Sequence, residues 1–297
     1  MKASGIQMSP YSFDFDSHIA YDDLFEDIVQ KFLASSLDHV KDSERIILLD
    51  DGGHLINAAL KLYPEDCKHI VAVEQTTSGY ERLKNSSPDL PIINVAKSKA
   101  KLMYEPGFAA GLIIDRTLQK LTRAPRSILI IGKGAIGAAI HARLSNDYEV
   151  QFWDIKEGGV SLEDILPKVD LIFGCTGNVS ISHLQHPLLK PGCALSSASS
   201  SDREFDSVYL RRQFPVSSDC HADLKNDRFQ LLNSGFPVNF NGGVHSIPPG
   251  QIRLIRALMT MGTLQAASLT EKKGGLIDLD ESHEIALIKK FGKTCAM

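Results

Sequence analysis

Gly132-Lys133-Gly134-Ala135-Ile136-Gly137 follows the apolar run Ile128-Leu129-Ile130-Ile131 and opens a small-residue stretch, Ala135 to Leu144. Glycines at this spacing between a buried strand and a helix suit one task, holding a pyrophosphate. The first allows the tight turn, the second lets phosphate approach the backbone, and the third lets helix and strand pack closely. The amides of the helix N-terminus then face the charge. Asp154 closes the next strand-like run, Val150 to Trp153, 22 positions after Gly132. A carboxylate there can accept from both ribose hydroxyls and repels a 2′-phosphate, which favours NAD; Lys156 nearby leaves NADP open. Thr176-Gly177-Asn178 follows a further apolar run, Leu171 to Phe173, where small residues would border the cofactor crevice.

The elements that must position these groups repeat a strand-turn-helix pattern. Tyr21 to Val40 carries an apolar stripe at helical spacing, with Asp22, Asp23 and Glu26 in its first turn. Ile46 to Leu49 runs into Asp50-Asp51-Gly52-Gly53 and a helix to Leu62. His69 to Val73 is a second strand and Thr76 to Leu83 a second helix. Pro91 to Val95 is a third strand, before a helical stretch towards Thr122 that Pro106-Gly107 should interrupt. A second series follows from Ser127, with strands at 128–131, 150–154, 169–173 and 193–195. Helices at about 251–267 and 281–290 finish the chain, separated by a Lys/Gly break. Continuous apolar strands alternating with helices imply parallel sheets covered on both faces.

The 297 residues are about twice the usual domain length, and 43% hydrophobic with 23% charged is ordinary globular composition. Thirty-two basic against 36 acidic residues leave a formal charge of −4, with no excess to neutralise nucleic acid. No apolar run reaches the roughly 20 residues of a membrane span, and Met1 to Pro10 lacks the apolar core of a secretory signal. Five scattered cysteines without a C-x-x-C pair fit a reducing cytoplasm and give no zinc spacing. Asp219-Cys220-His221 has no second ligand pair, so it reads as a loop and no metal is expected.

In order along the chain, several motifs resemble the S-adenosylhomocysteine hydrolase (adenosylhomocysteinase) family. Leu49-Asp50-Asp51-Gly52-Gly53 is similar to its LDDGGD turn, and Glu74-Gln75-Thr76-Thr77-Ser78-Gly79 to its EETTTG segment. Ile93-Asn94-Val95 with Lys97-Ser98-Lys99 resembles its INV…KSK segment. The glycine loop, Thr176-Gly177-Asn178 and Val238-Asn239-Phe240 through His245 match its cofactor-domain pattern. The resemblance implies two doubly wound α/β domains. A Rossmann NAD-binding domain (106–245) would be inserted in a discontinuous substrate-type domain (1–105 and 246–297). It also implies a homo-oligomer, a place in one-carbon metabolism, and chemistry in which NAD oxidises a ribose hydroxyl of a small-molecule substrate before elimination. By resemblance Asp51 would contact substrate, Lys97 would assist oxidation and His245 would line the substrate side. Thr76 and Thr77 would hold the nicotinamide end, and Asn239 would reach its carboxamide.

The departures limit that reading. Gln75 replaces the family's second glutamate, and an amide cannot serve as a general base. Lys101 replaces an aspartate, and Ser200 aligns with a histidine. The stretch before the LDDGG turn is shorter than the family's and the C-terminal Lys/Tyr tail is lacking, so part of the adenosine-binding wall is expected to be missing. The expectation is an NAD-dependent oxidoreductase-type enzyme on a small hydroxylated metabolite, rather than a competent hydrolase. A non-catalytic NAD-binding sensor or partner subunit is the alternative. Asp51 could equally be the N-cap of the following helix and Lys97 a surface lysine, while Arg253 and Arg256 are expected to solvate the exposed face of their helix. The serines from Ser196 to Ser201 could meet a ligand or form a flexible connection.

Overall fold

The computed structural model describes residues 11, 14–38, 45–85, 89–156, 159–240, 242, 248–270 and 273–295. The chain divides into two compact units. Unit 1 comprises 1–14, 22–101 and 253–297; unit 2 comprises 15–21 and 102–252.

In unit 1, β1 (Ile46–Asp50), β2 (Ile70–Glu74), β3 (Pro91–Asn94) and β10 (Gly275–Asp278) form a parallel sheet in that order. Side chains alternate between its faces, so each strand needs cover on both. Leu48, Ile70, Ala72 and Ile92 pack with Val29 and Leu33 of α1 (Tyr21–Leu37). The same cluster takes Ile56 and Ala59 of α2 (His54–Leu62) and Leu83 of α3 (Thr77–Leu83). The other face lies under α7 (Pro249–Ser268), where a Cβ on Gly262 would stand 2.7 Å from Val73 Cγ1. That contact is why a helix former is absent at this position despite the cost of glycine inside a helix.

Unit 2 carries a six-stranded sheet. Its order is β5 (Glu149–Trp153), β4 (Ser127–Ile131), β6 (Leu171–Gly174), β7 (Cys193–Ser197), β9 (Phe229–Leu231) and β8 (Leu224–Lys225). All pairings are parallel except that of β8 with β9. Ile128 and Ile130 face Ala110, Ile113 and Ile114 of α4 (Lys99–Lys120) and Ile140 and Leu144 of α5 (Ala135–Leu144). Leu129 and Ile131 face the opposite cluster, which includes Phe205 and, within α6 (Ser207–Arg211), Leu210. The chain runs from β4 outwards to β5 and then back across to β6, the strand reversal of a Rossmann-type sheet. The fold class is therefore α/β, with parallel sheets covered on both faces in both units.

Three departures from the sequence expectation have physical causes. Pro106 does not interrupt α4, which runs unbroken from Lys99 to Lys120. The proline forfeits one backbone bond, while burial of Ala110, Ile113 and Ile114 holds the helix together. The strands β8, β9 and β10 fall in stretches of two to four residues, too short for a periodicity to show. Residues 15–21, assigned by sequence to the first domain, pack instead with unit 2.

Arg211 is the reason for that third departure. It is fully buried, donates Nε–H to Ser17 O (2.7 Å) and Nη2–H to Ile19 O (3.2 Å), and bonds Ser234 O at 2.9 Å. Its Nη2 also meets the Asp202 carboxylate at 2.6 Å, while the Phe15 and Phe236 rings flank the guanidinium. A buried cation is tolerable only when every donor is met, and here the N-terminal segment supplies part of the set. No helix of the described residues is long and apolar enough to cross a membrane. Arg211→Met should lower unfolding free energy by about 3–5 kcal/mol in urea titrations, because Asp202 is left buried without its partner. A loss below about 1 kcal/mol would contradict the anchoring role.

Candidate functional site

The glycine loop of unit 2 has the geometry the spacing requires. Gly132 has φ 105°, and a Cβ there would stand 2.9 Å from the Cys175 backbone. A Cβ on Gly137 would sit 2.0 Å from Gly132 O, so the third glycine sets how closely α5 approaches the turn. At Gly134, by contrast, a Cβ would meet nothing within 4 Å. The α5 N-terminus has no side-chain cap, and Gly134 and Ala135 are exposed with Ile136 half-buried. Its leading amides are therefore available to an anion.

Asp154 stands just past β5 and accepts from Lys133 N (2.8 Å) and Lys156 N (3.0 Å). Those two amides hold its carboxyl below the usual range, so it is an anion with acceptor capacity remaining. Gly132 N donates to Trp153 O and Cys175 N to Ile131 O, which joins the three strand ends into one edge.

Thr176, Gly177 and Asn178 follow β6 at that edge, and a residue not singled out by sequence organises them. Glu204, fully buried, accepts from Thr176 N (2.6 Å), Gly177 N (2.6 Å) and Thr176 Oγ1 (2.9 Å). Burial pushes the Glu204 carboxyl upward against these bonds. Gly174 makes room for it, since a Cβ there would stand 2.8 Å from Glu204 Cβ. Thr176 Oγ1 also takes the Asn178 amide at 3.0 Å, so the threonine hydroxyl shapes the turn. Asn239 lies beyond the carboxyl end of β7, where Val238 N donates to Ser197 O at 3.3 Å. It is buried, and its carbonyl accepts from Arg116. Ser196 is a core hydroxyl bonded to Thr117 at 2.7 Å. Asp219 accepts from His221 N at 2.8 Å, closing a local turn.

In unit 1, Asp51, Thr76, Thr77 and Lys97 all stand past the carboxyl ends of β1, β2 and β3. Asp51 is exposed and does not cap α2; Gly53 holds the cap position without a side-chain bond. The carboxylate that serves the start of α2 belongs to its neighbour Asp50, which accepts from Asp51 N and Ile56 N, both at 2.8 Å. Asp51 instead accepts from Gln75 Nε2 at 2.7 Å, so two residues on adjacent turns are tied across the edge. Lys101, 5% exposed, donates to the Gln75 carbonyl, which fixes the glutamine backbone from beneath. Lys97 is partly buried, with its ammonium 3.3 Å from Glu81 and over the Tyr80 ring at 4.7 Å. Thr76 caps α3: its Oγ1 accepts from Gly79 N and donates to Glu74. Thr77 is the exposed first residue of that helix. His245 lies outside the described residues.

Glu74 is the counterpart of Glu204. It is fully buried and accepts from Gly53 N (2.9 Å), Gly52 N (3.2 Å), Thr76 N (2.6 Å) and Thr76 Oγ1 (2.6 Å). A Cβ on Gly79 would fall 2.3 Å from its Cδ. Asp50, also buried, is its register partner on β1. Burial pushes Glu74 up to about 7, the Asp50 charge adds to this, and the hydroxyl and amides of the turns oppose it. Burial raises Asp50 in the same direction. The sequence signal for this pair was a carboxylate at each strand end beside a glycine turn, with no spacing to say which acid faced inward.

No family model matches the chain. Uncharacterized proteins of Mycobacterium tuberculosis strains CDC 1551 and H37Rv are 37% identical to it over 254 residues, 82% of this chain and 50% of theirs. Adenosylhomocysteinase of Acinetobacter baylyi is 27% identical over 235 residues, 65% of this chain and 50% of the enzyme. The chain thus spans about half the length of the curated relatives it matches. Among solved structures, NAD+-bound 3-phosphoglycerate dehydrogenase of Entamoeba histolytica overlaps 84% of the chain and 86% of its own, with 13% identity and TM-score 0.44. Formate dehydrogenase of Granulicella overlaps 52% of the chain and 51% of its own, with 10% identity and TM-score 0.35.

A folded carboxylate whose pKa is raised binds protons that the unfolded chain has released. Glu74 therefore contributes stability that is full below about pH 4.5 and is lost as pH rises towards 7. Urea unfolding of the native chain should weaken by about 3 kcal/mol at most across that window, with Asp50 adding in the same sense. Glu74→Gln should be less stable throughout, since its NH2 faces amide donors, but with a flatter pH dependence. Equal slopes in both proteins would contradict the burial account.

Proposed function

We propose that the chain binds NAD on unit 2 and acts as an NAD-dependent oxidoreductase-type enzyme on a small hydroxylated metabolite. The observation that carries the cofactor half is the open turn at Gly134. A Cβ at Gly134 would meet nothing within 4 Å, the α5 amides are uncapped, and the Asp154 carboxylate accepts from Lys133 N beside the turn. These residues fit a dinucleotide: amides at 134–136 for the pyrophosphate and Asp154 for the ribose hydroxyls. Thr176-Gly177-Asn178 and Asn239 would border the nicotinamide half. The distant similarity to adenosylhomocysteinase supports the same assignment. Bound nicotinamide supplies a hydride acceptor.

On unit 1, Asp51 would accept a substrate hydroxyl proton in a hydrogen bond, and Gln75 would hold that carboxylate in place. Lys97 would approach from β3. Gln75 itself presents an amide, so proton removal falls to Asp51, Lys97 or His245. The site differs from the hydrolase pattern at Gln75 and Lys101, and that difference directs the reading away from adenosylhomocysteine hydrolysis. A second reading, a non-catalytic NAD-binding subunit, draws on one observation: Gln75 is tied through its side-chain amide to Asp51 and through its carbonyl to Lys101, so Asp51 is already engaged within the turn.

Calorimetry on nucleotide-stripped protein should show NAD binding that Asp154→Ala weakens at least about tenfold, an effect near 1.4 kcal/mol. Absence of NAD binding by the native chain would overturn the proposal. NAD binding without change in cofactor absorbance across a panel of hydroxylated nucleosides and sugars would favour the non-catalytic reading.

A further inference from the structure

The opposite edge of the unit 2 sheet carries a feature that nucleotide binding does not use. Strands β4, β6, β7 and β9 are parallel, so their amino ends share one edge, away from the glycine loop. A cavity of about 230 Å³ opens there, lined by Thr122, Arg123, Asp170, Lys225 and Gln230, with Leu121, Pro125 and Ala194 as its apolar part. Gly192, at φ 78°, lines the same cavity, and the Arg123 guanidinium lies over it: a Cβ there would stand 3.7 Å from Nη2.

The charges around the cavity do not balance locally. Asp170 is already satisfied by Lys190 Nζ (2.7 Å) and the amides of Arg126 (2.9 Å) and Ser127 (3.2 Å). Burial opposes its ionisation, yet the lysine and the amides hold it down to about 2. Asp223 is taken by Lys120 at 2.8 Å. Arg123 and Lys225 pair with no carboxylate among the described residues, and Asp227 is the remaining acid of the adjoining turn. Two cations therefore face a cavity whose own acid is spent. A guanidinium fork and an ammonium at one mouth suit a planar or tetrahedral oxyanion.

We propose that this amino-edge cavity is an anion-binding site, separate from the glycine loop, for a small ligand bearing a phosphate-like dianionic group. Arg123 and Lys225 hold the charged head. Thr122 and Gln230 supply neutral hydrogen bonds, and Leu121, Pro125 and Ala194 accept the apolar remainder. The site stands whether or not unit 2 binds NAD.

Inorganic pyrophosphate is the probe, titrated calorimetrically at constant ionic strength set with chloride. The glycine loop could also hold it, so Gly134→Asp, which blocks that loop with a carboxylate, is titrated in parallel. The expected result is saturable binding that survives in Gly134→Asp and weakens at least about tenfold in Arg123→Gln/Lys225→Gln. Both substituted side chains are exposed, and an unchanged thermal unfolding midpoint without the anion shows the fold intact. Thr122→Glu, which sets a carboxylate at the mouth, is expected to act like the double variant. Absence of saturable binding overturns the proposal, as does binding lost in Gly134→Asp and kept in the double variant. An equal loss in Lys273→Gln, a lysine of unit 1, reveals general charge screening and overturns it too.

Discussion

Buried carboxylates that gather turn amides hold the candidate sites in shape. Glu74 takes the amides of Gly52, Gly53 and Thr76, and Glu204 takes those of Thr176 and Gly177. An amide buried without a partner costs as much as a lost hydrogen bond, so a turn at a strand end must find an acceptor. One carboxylate meets several such amides at once. It also requires space beside it, which Gly79 and Gly174 supply by lacking a side chain. The glycines, the threonines and the acids at these two edges thus form one requirement, and the exposed groups, Asp51 and Asn178, are carried on the turns so fixed.

The same logic explains why the residues with the most evident chemistry in sequence are not always the ones with structural duty. Asp50 and Asp51 are adjacent and identical in type, yet Asp50 turns inward to serve the α2 amides and Asp51 outward to meet Gln75. Likewise Thr76 is committed to capping α3, which leaves Thr77 exposed beside it. Strand alternation decides which acid is buried, and that alternation depends on register with β2.

Much of the framework was legible in the chain. The glycine spacing, the acid after β5 and the apolar strand runs are local signals, and each corresponds to an element or turn in unit 2. Glu204 and Arg211 were not legible, because their partners lie far away: Thr176 is 28 positions from Glu204, and Ser17 is 194 from Arg211. Pro106 misled for a related reason, since the packing of Ala110, Ile113 and Ile114 outweighs a local breaker. Strand β10 is too short to announce itself and exists by pairing with β3.

Dinucleotide binding at the open turn of Gly134 is the proposal on which the functional assignment depends. Its most direct measurement is mass spectrometry of the nucleotide released when protein purified without added cofactor is denatured. NAD is expected from the native chain and none from Gly134→Asp. No released nucleotide, or NAD in equal yield from both proteins, would contradict it.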